Sequence, residues 1–168
     1  MRKLKVGFIS FAHGHAFSYI SQMSSLPEVE IVGIADDNEA RVAGAVEQYG
    51  VPYFADYNEL LKTDADAVVI CSENVHHAPI TIAAARAKKH VLCEKPLGVS
   101  MEEMERMIRE CRDNGVQLMT AFPCRYIPAV IQAKQAMERG EIGDIVAIKG
   151  TNRGRMPGRW FIDKSLSG

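Results

Sequence analysis

Short apolar runs rich in β-branched residues alternate along this chain with stretches whose apolar positions recur every three to four residues. Five such runs are KVGFIS from Lys5, VEIVGIAD from Val29, DAVVICS from Asp66, HVLCEKP from His90 and VQLMTAF from Val116. Their near-continuous hydrophobicity predicts parallel strands covered by helices on both faces. The stretches between them supply those helices. In SMEEMERMIRECRDNG, Ser100 and Glu103 form an S-x-x-E capping box, Met101, Met104, Ile108 and Cys111 make one apolar stripe, and Gly115 ends the helix. Another helix starts at the N-cap Asn38, carries Val42, Val46 and Tyr49, and stops at Gly50. Strands and helices in alternation predict an α/β fold, a Rossmann-type doubly wound parallel sheet.

The pattern changes after residue 123. One more helix is expected from near Pro128 to Gly140, then a long strand over DIVAIKGTNRG from Asp144; from Arg153 onward no period survives. A strand without a partner forms no stable layer. Residues 1–123 are therefore expected to form a nucleotide-binding domain, and residues 124–168 the incomplete start of a second α+β domain.

Composition narrows the chemistry. With 47% hydrophobic and 24% charged residues and a net charge of -1, the chain offers no basic footprint for nucleic acid or an anionic membrane. No apolar run approaches the roughly 18 residues of a membrane span, and MRKLKVGFIS lacks the features of a signal peptide, so a cytoplasmic location is expected. Cys71, Cys93, Cys111 and Cys124 form no C-x-x-C pair and read as reduced thiols. His13 with His15, and His76 with His77, lack the helical spacing of a zinc motif and any indicated third ligand; no metal is expected.

Lys5 to Asp36 has the length of a βαβ dinucleotide unit, with acidic Asp36 and Asp37 closing its second strand. Counting back from Asp36 puts Ser10, Ala12 and His15 where the G-x-G-x-x-G fingerprint expects glycine. Small Ser10 and Ala12 still permit a tight turn, and the amides opening the next helix still face a pyrophosphate. The loop of Ser10, Phe11, Ala12, His13, Gly14 and His15 is thus expected to be a modified dinucleotide loop. A carboxylate at Asp36 suits a ribose, Asn38 being taken as the cap of the following helix. Two adjacent carboxylates repel a 2′-phosphate, favouring NAD over NADP.

DAVVICSENVHHAPITIAAARAKKHVLCEKPLG resembles the D-x-V-x-I-x-T-P-N-x-x-H … G-K-H-V-x-x-E-K-P block of the glucose-fructose oxidoreductase, inositol dehydrogenase and rhizopine catabolism (Gfo/Idh/MocA) family. CRYIPAVIQAKQAMERGEIGDIVAIKGTNRG and GRWFIDKSLSG are similar to later family passages, so the resemblance runs through most of the chain. It implies hydride transfer between NAD and a hydroxyl-bearing carbon of a sugar, polyol or cyclitol. It makes Lys95 the substrate-facing lysine, oriented by Glu94, which also lines the nicotinamide end. An ammonium beside a developing alkoxide is sound chemistry whatever the family. A simple ion pair is the plainer reading of Glu94.

Ser72 and Asn74 match the family turn over the dinucleotide, with Glu73 in place of its proline. His77 matches the histidine opening the next helix, as a cofactor contact or as a ring satisfied by backbone. Arg125 matches an arginine that reaches cofactor or substrate, or is solvated. Trp160 matches a family tryptophan, while Phe161 replaces a frequent arginine. The family's general-base histidine and its sheet-built subunit interface belong to sequence beyond SLSG. The chain therefore reads as an N-terminal portion, inactive alone, of a homo-oligomeric enzyme. Two other readings are a non-catalytic nucleotide or sugar sensor and a methyltransferase, the latter disfavoured by CEKP.

Overall fold

A computed structural model describes residues 2–151 and 158–168. The elements run β1 (Leu4–Ile9), α1 (His15–Ser24), β2 (Val29–Ala35), α2 (Glu39–Tyr49), β3 (Tyr53–Phe54), α3 (Tyr57–Leu61), β4 (Ala67–Ile70), α4 (His77–Arg86), β5 (His90–Cys93), α5 (Met101–Asp113), β6 (Leu118–Thr120), α6 (Pro128–Glu138) and α7 (Lys164–Ser167). The six strands form one sheet in the order β3-β2-β1-β4-β5-β6, every pair parallel. This is the doubly wound arrangement, with its topological switch between β1 and β4.

Strand alternation sorts the core into two layers. Phe8, Ile34 and Val69 pack with Ala16 and Ile20 of α1 and Val42 and Ala45 of α2. Their neighbours Ile9, Val68 and Ile70 point to the opposite face, onto Leu60, Ile80, Ile82 and Met107. Gly7 allows α3 to approach the sheet, since a Cβ there would lie 2.5 Å from Leu60 Cδ2.

Three expectations need correction. In α5 the buried positions are Met107 and Cys111, whereas Met101 and Ile108 are exposed; the contact line faces α4 and is rotated from the expected stripe. Asn38 makes no side-chain cap, and its own amide is instead bound by Asp36 Oδ1 at 2.8 Å. Residues 144–151 form no strand, having no neighbouring strand to pair with among the described residues; Asn152 to Gly154, which complete that stretch, lie outside those residues. The two-residue β3 and the five-residue α3 were absent from the sequence reading.

From Phe122 to Thr151 no residue is buried. Residues 158–168 return to the carboxyl edge of the sheet. There Trp160 Nε1 donates to the Ala12 carbonyl at 3.1 Å, and Asn74 Nδ2 donates to the Ser167 carbonyl at 3.1 Å.

Candidate active site

The carboxyl ends of β1, β2 and β4 open onto a cavity of about 420 Å³ walled by Ser10, Asp36, Asp37, Ser72, Glu73 and His76. Crevices at this switch point are where doubly wound sheets bind nucleotides.

The loop leaving β1 is held by backbone and carboxylate. Ser10 has φ +64°, the left-handed conformation for which the fingerprint uses glycine, and its Oγ accepts from Ala12 N at 3.2 Å. An L-residue there costs about 1–2 kcal/mol. The Phe11 ring is buried beside Phe8 and Phe17, so Phe11 faces the core and offers the site no side chain. Its amide donates to Asp36 Oδ2 at 2.7 Å. Ala12 is half-buried, and Gly14 sits exposed before the first turn of α1 without a side-chain cap.

Asp36 is therefore a buried brace as well as a wall residue. Burial raises its carboxyl above the usual range, against the pull of the Asn38 and Phe11 amides and of Arg41. Arg41 Nη1 lies 3.2 Å from Asp36 and 3.5 Å from Asp37, whose side chain is 84% exposed. Asp37 is the freer carboxylate at the cavity.

A second group gathers at the end of β5. Glu94 is fully buried, and its Oε1 accepts from Tyr19 Oη at 2.7 Å and lies 2.6 Å from His15 Nδ1, while Oε2 accepts the Lys95 amide at 2.6 Å. Burial alone would raise this carboxyl, but the hydrogen bonds from Tyr19 and His15 outweigh it and hold the carboxyl below its ordinary value. Burial and Glu94 push the Tyr19 hydroxyl well up. Glu94 orients Lys95 through the peptide, not by an ion pair with the ammonium. Lys95 Nζ instead stands 3.3 Å from His13 Nε2 and 5.7 Å from the Phe161 ring centroid. His13 is 3% exposed, and burial lowers it to about 4, assisted by the charges of His15, Lys95 and His77 and opposed by Glu94.

The remaining expected residues divide. Ser72 and Asn74 are buried; Ser72 lies on the cavity wall, and Asn74 Oδ1 has no partner. His77 does not face the crevice: fully buried, its ring nitrogens lie 2.7 Å from the Pro96 carbonyl and 3.1 Å from that of Ser72, tying the turn after β4 to the segment after Lys95. Arg125 is exposed and stacks over Phe122 at 4.6 Å, away from these groups. Sequence reasoning missed Tyr19 and Arg41. Each sits four residues beyond a residue it did single out, His15 and Asp37, and helical spacing was the available signal.

Glu94 also supplies the third ligand that the sequence did not indicate. One donor atom from each of His13, His15 and Glu94 lies within 4.8 Å of the others. The donors are wired against a cation, however. His15 N donates to His13 Nδ1 at 3.2 Å, which places the neutral ring's hydrogen on Nε2, and the Lys95 amino group adjoins that atom.

Sheet order, switch-point cavity and braced loop define a dinucleotide-binding Rossmann domain. Residues 5–122 match the GFO_IDH_MocA model, the oxidoreductase family with an NAD-binding Rossmann fold, and the chain belongs to this family. It is 33% identical over 141 residues to a myo-inositol 2-dehydrogenase of Thermotoga maritima, covering 83% of this chain and 42% of that protein. Among solved structures it is similar to KijD10, a 3-ketoreductase from Actinomadura kijaniata in complex with TDP-benzene and NADP (31% identity, TM-score 0.78, 86% of this chain and 45% of that one). It is also similar to the WlbA dehydrogenase of Bordetella pertussis in complex with NADH and UDP-GlcNAcA (27% identity, TM-score 0.79, 84% and 41%). The chain thus spans less than half the length of these relatives.

Proposed function

We propose that this chain is the cofactor-binding and proton-handling part of an NAD-dependent dehydrogenase that acts on a hydroxyl-bearing carbon of a sugar, polyol or cyclitol. The observation that carries the reading is Lys95 at the carboxyl end of β5, its backbone fixed by buried Glu94 and its amino group free of any carboxylate among the described residues. The fit to a dinucleotide rests on the cavity, the left-handed turn at Ser10 and the unpartnered buried Oδ1 of Asn74, which offers an acceptor. Bound NAD would supply the hydride acceptor.

The chain's own residues do the rest. Asp36 holds the loop and Asp37 lies open toward a ribose; with Asp56 and Glu73 they give the cavity an acidic lining that favours NAD over a 2′-phosphorylated cofactor. Lys95 binds the reacting hydroxyl and stabilises charge on its oxygen. A general base and the subunit contacts of a homo-oligomer would come from the second domain that the relatives' greater length implies, and the chain alone would turn over no polyol.

The test is turnover of a polyol panel with NAD by the chain joined to that second domain. Lys95→Met should lower kcat by about 10² or more and leave NAD affinity nearly unchanged, since it removes the group read as polarising the reacting oxygen and none of the residues that wall the cofactor cavity. A variant with undiminished kcat would remove Lys95 from the mechanism. NAD binding without absorbance change at the nicotinamide band, on every substrate, would favour the sensor reading.

A further inference from the structure

The cavity at the switch point carries one side chain that the family turn lacks. Glu73 stands where that turn has proline, and it is a half-buried residue of the cavity wall. We propose that Glu73 is a specificity-determining residue for the base of the dinucleotide: its carboxylate accepts from the 6-amino group of adenine and selects that purine over a 6-keto one. This rests on the cavity taking the adenosine half of NAD.

The backbone does not require this residue. Glu73 has φ -62° and ψ 151°, a φ inside the range to which the proline ring locks its own, and its amide donates to no described group. The turn is shaped by the Glu73 carbonyl, which accepts from Ser72 Oγ at 3.2 Å and from His76 N at 3.0 Å. Proline would leave that carbonyl in place and take away only the side chain. The departure from the family residue therefore adds a carboxylate to the wall without reshaping the turn.

Among the described residues this carboxylate has no hydrogen-bond or ion-pair partner, whereas the other acids of the cavity are engaged. Asp36 holds the Phe11 and Asn38 amides, Asp37 lies beside Arg41, and Asp56 caps α3 through the Asn58 amide. Asp37 follows β2 and Glu73 follows β4, with β1 between them. A nucleoside whose ribose meets Asp37 therefore extends its base across the end of β1 toward Glu73, over apolar Ile9, Ala35, Pro79 and Ile80. A carboxylate only accepts, and adenine joined through its ring nitrogen to ribose has one N–H donor, the 6-amino group. That group alone can satisfy Glu73. Hypoxanthine puts a keto oxygen in the same place, an acceptor against a carboxylate, which leaves the charge unpaired.

Calorimetric titration of the 168-residue chain with NAD and with nicotinamide hypoxanthine dinucleotide reads this selection without substrate or turnover. The unsubstituted chain should bind NAD about tenfold more tightly, the lower end of what a hydrogen bond to a charged group contributes. Glu73→Pro should bring the two affinities together by weakening NAD. Glu73→Gln should bring them together by strengthening the hypoxanthine dinucleotide, because a side-chain amide accepts from an amino group or donates to a keto oxygen. Circular dichroism checks that both variants fold, and the ratio in the unsubstituted chain is decisive even where one does not. Equal affinities in the unsubstituted chain, or a ratio undiminished in a folded variant, would overturn the base contact and leave the cofactor reading standing. Binding of neither dinucleotide would overturn both.

Discussion

Acid should destabilise this fold through His13. The ring is buried and neutral in the folded chain, lowered from 6.5 to about 4 chiefly by burial, whereas in the unfolded chain it protonates near its ordinary value. Between these two values the unfolded state binds the extra proton, so stability rises with pH across the window and falls as pH drops through it. At about 1.4 kcal/mol per pH unit the full separation is worth about 3 kcal/mol, of which roughly 2.5 kcal/mol is lost between about pH 8 and about pH 4.5. His77, also lowered by burial, adds loss of the same sign. Asp36, whose carboxyl is raised by burial, works the other way as pH approaches 4, and Glu94, held low, loses its contribution only at lower pH. The His13 share must therefore be isolated by comparison. Urea unfolding followed by circular dichroism at the two pH values should show a loss smaller by roughly 2 kcal/mol in His13→Gln than in the unsubstituted chain. The same pH dependence in both chains would mean that His13 is protonated as readily folded as unfolded, and that the burial argument is wrong.

Two further outcomes follow from specific contacts. Calorimetry should find NAD bound at least about tenfold more tightly than NADP, and Asp37→Ser should narrow the ratio by about fivefold, because it removes an exposed like charge and releases Arg41 from one of its two carboxylates. An unchanged ratio would place the ribose elsewhere. Gly33→Ala should cost about 1–3 kcal/mol in urea unfolding, since the added Cβ would lie 2.6 Å from Phe54 Cε2 and 3.3 Å from the Pro52 carbonyl. A neutral effect would show that β3 can move away from β2.

Local pattern carried much of the fold because the features involved are local. The five apolar runs that begin at Lys5, Val29, Asp66, His90 and Val116 each hold a strand, Ser100 does accept from Glu103 N, and Gly50 and Gly115 do turn left-handed after their helices. The E-K-P segment and the acids after β2 were likewise legible, since a short motif requires only residue types in order. Other features depended on neighbours distant in sequence. Whether Ile108 or Met107 of α5 is buried depends on where α4 lies, and whether residues 144–151 become a strand depends on a second strand beside them. The two residues of β3 are a strand only because β2 offers them an edge. The site shows the same division. Glu94 meets Tyr19 and His15 across 75 and 79 positions, Asp36 reaches back 25 to hold Phe11, and His77 turns from a plausible cofactor contact into a buried tie once the Pro96 carbonyl lies beside it. A lone histidine carries no mark of its tautomer in sequence. His13 acquired one when the loop closed and put an amide at one ring nitrogen and Lys95 at the other.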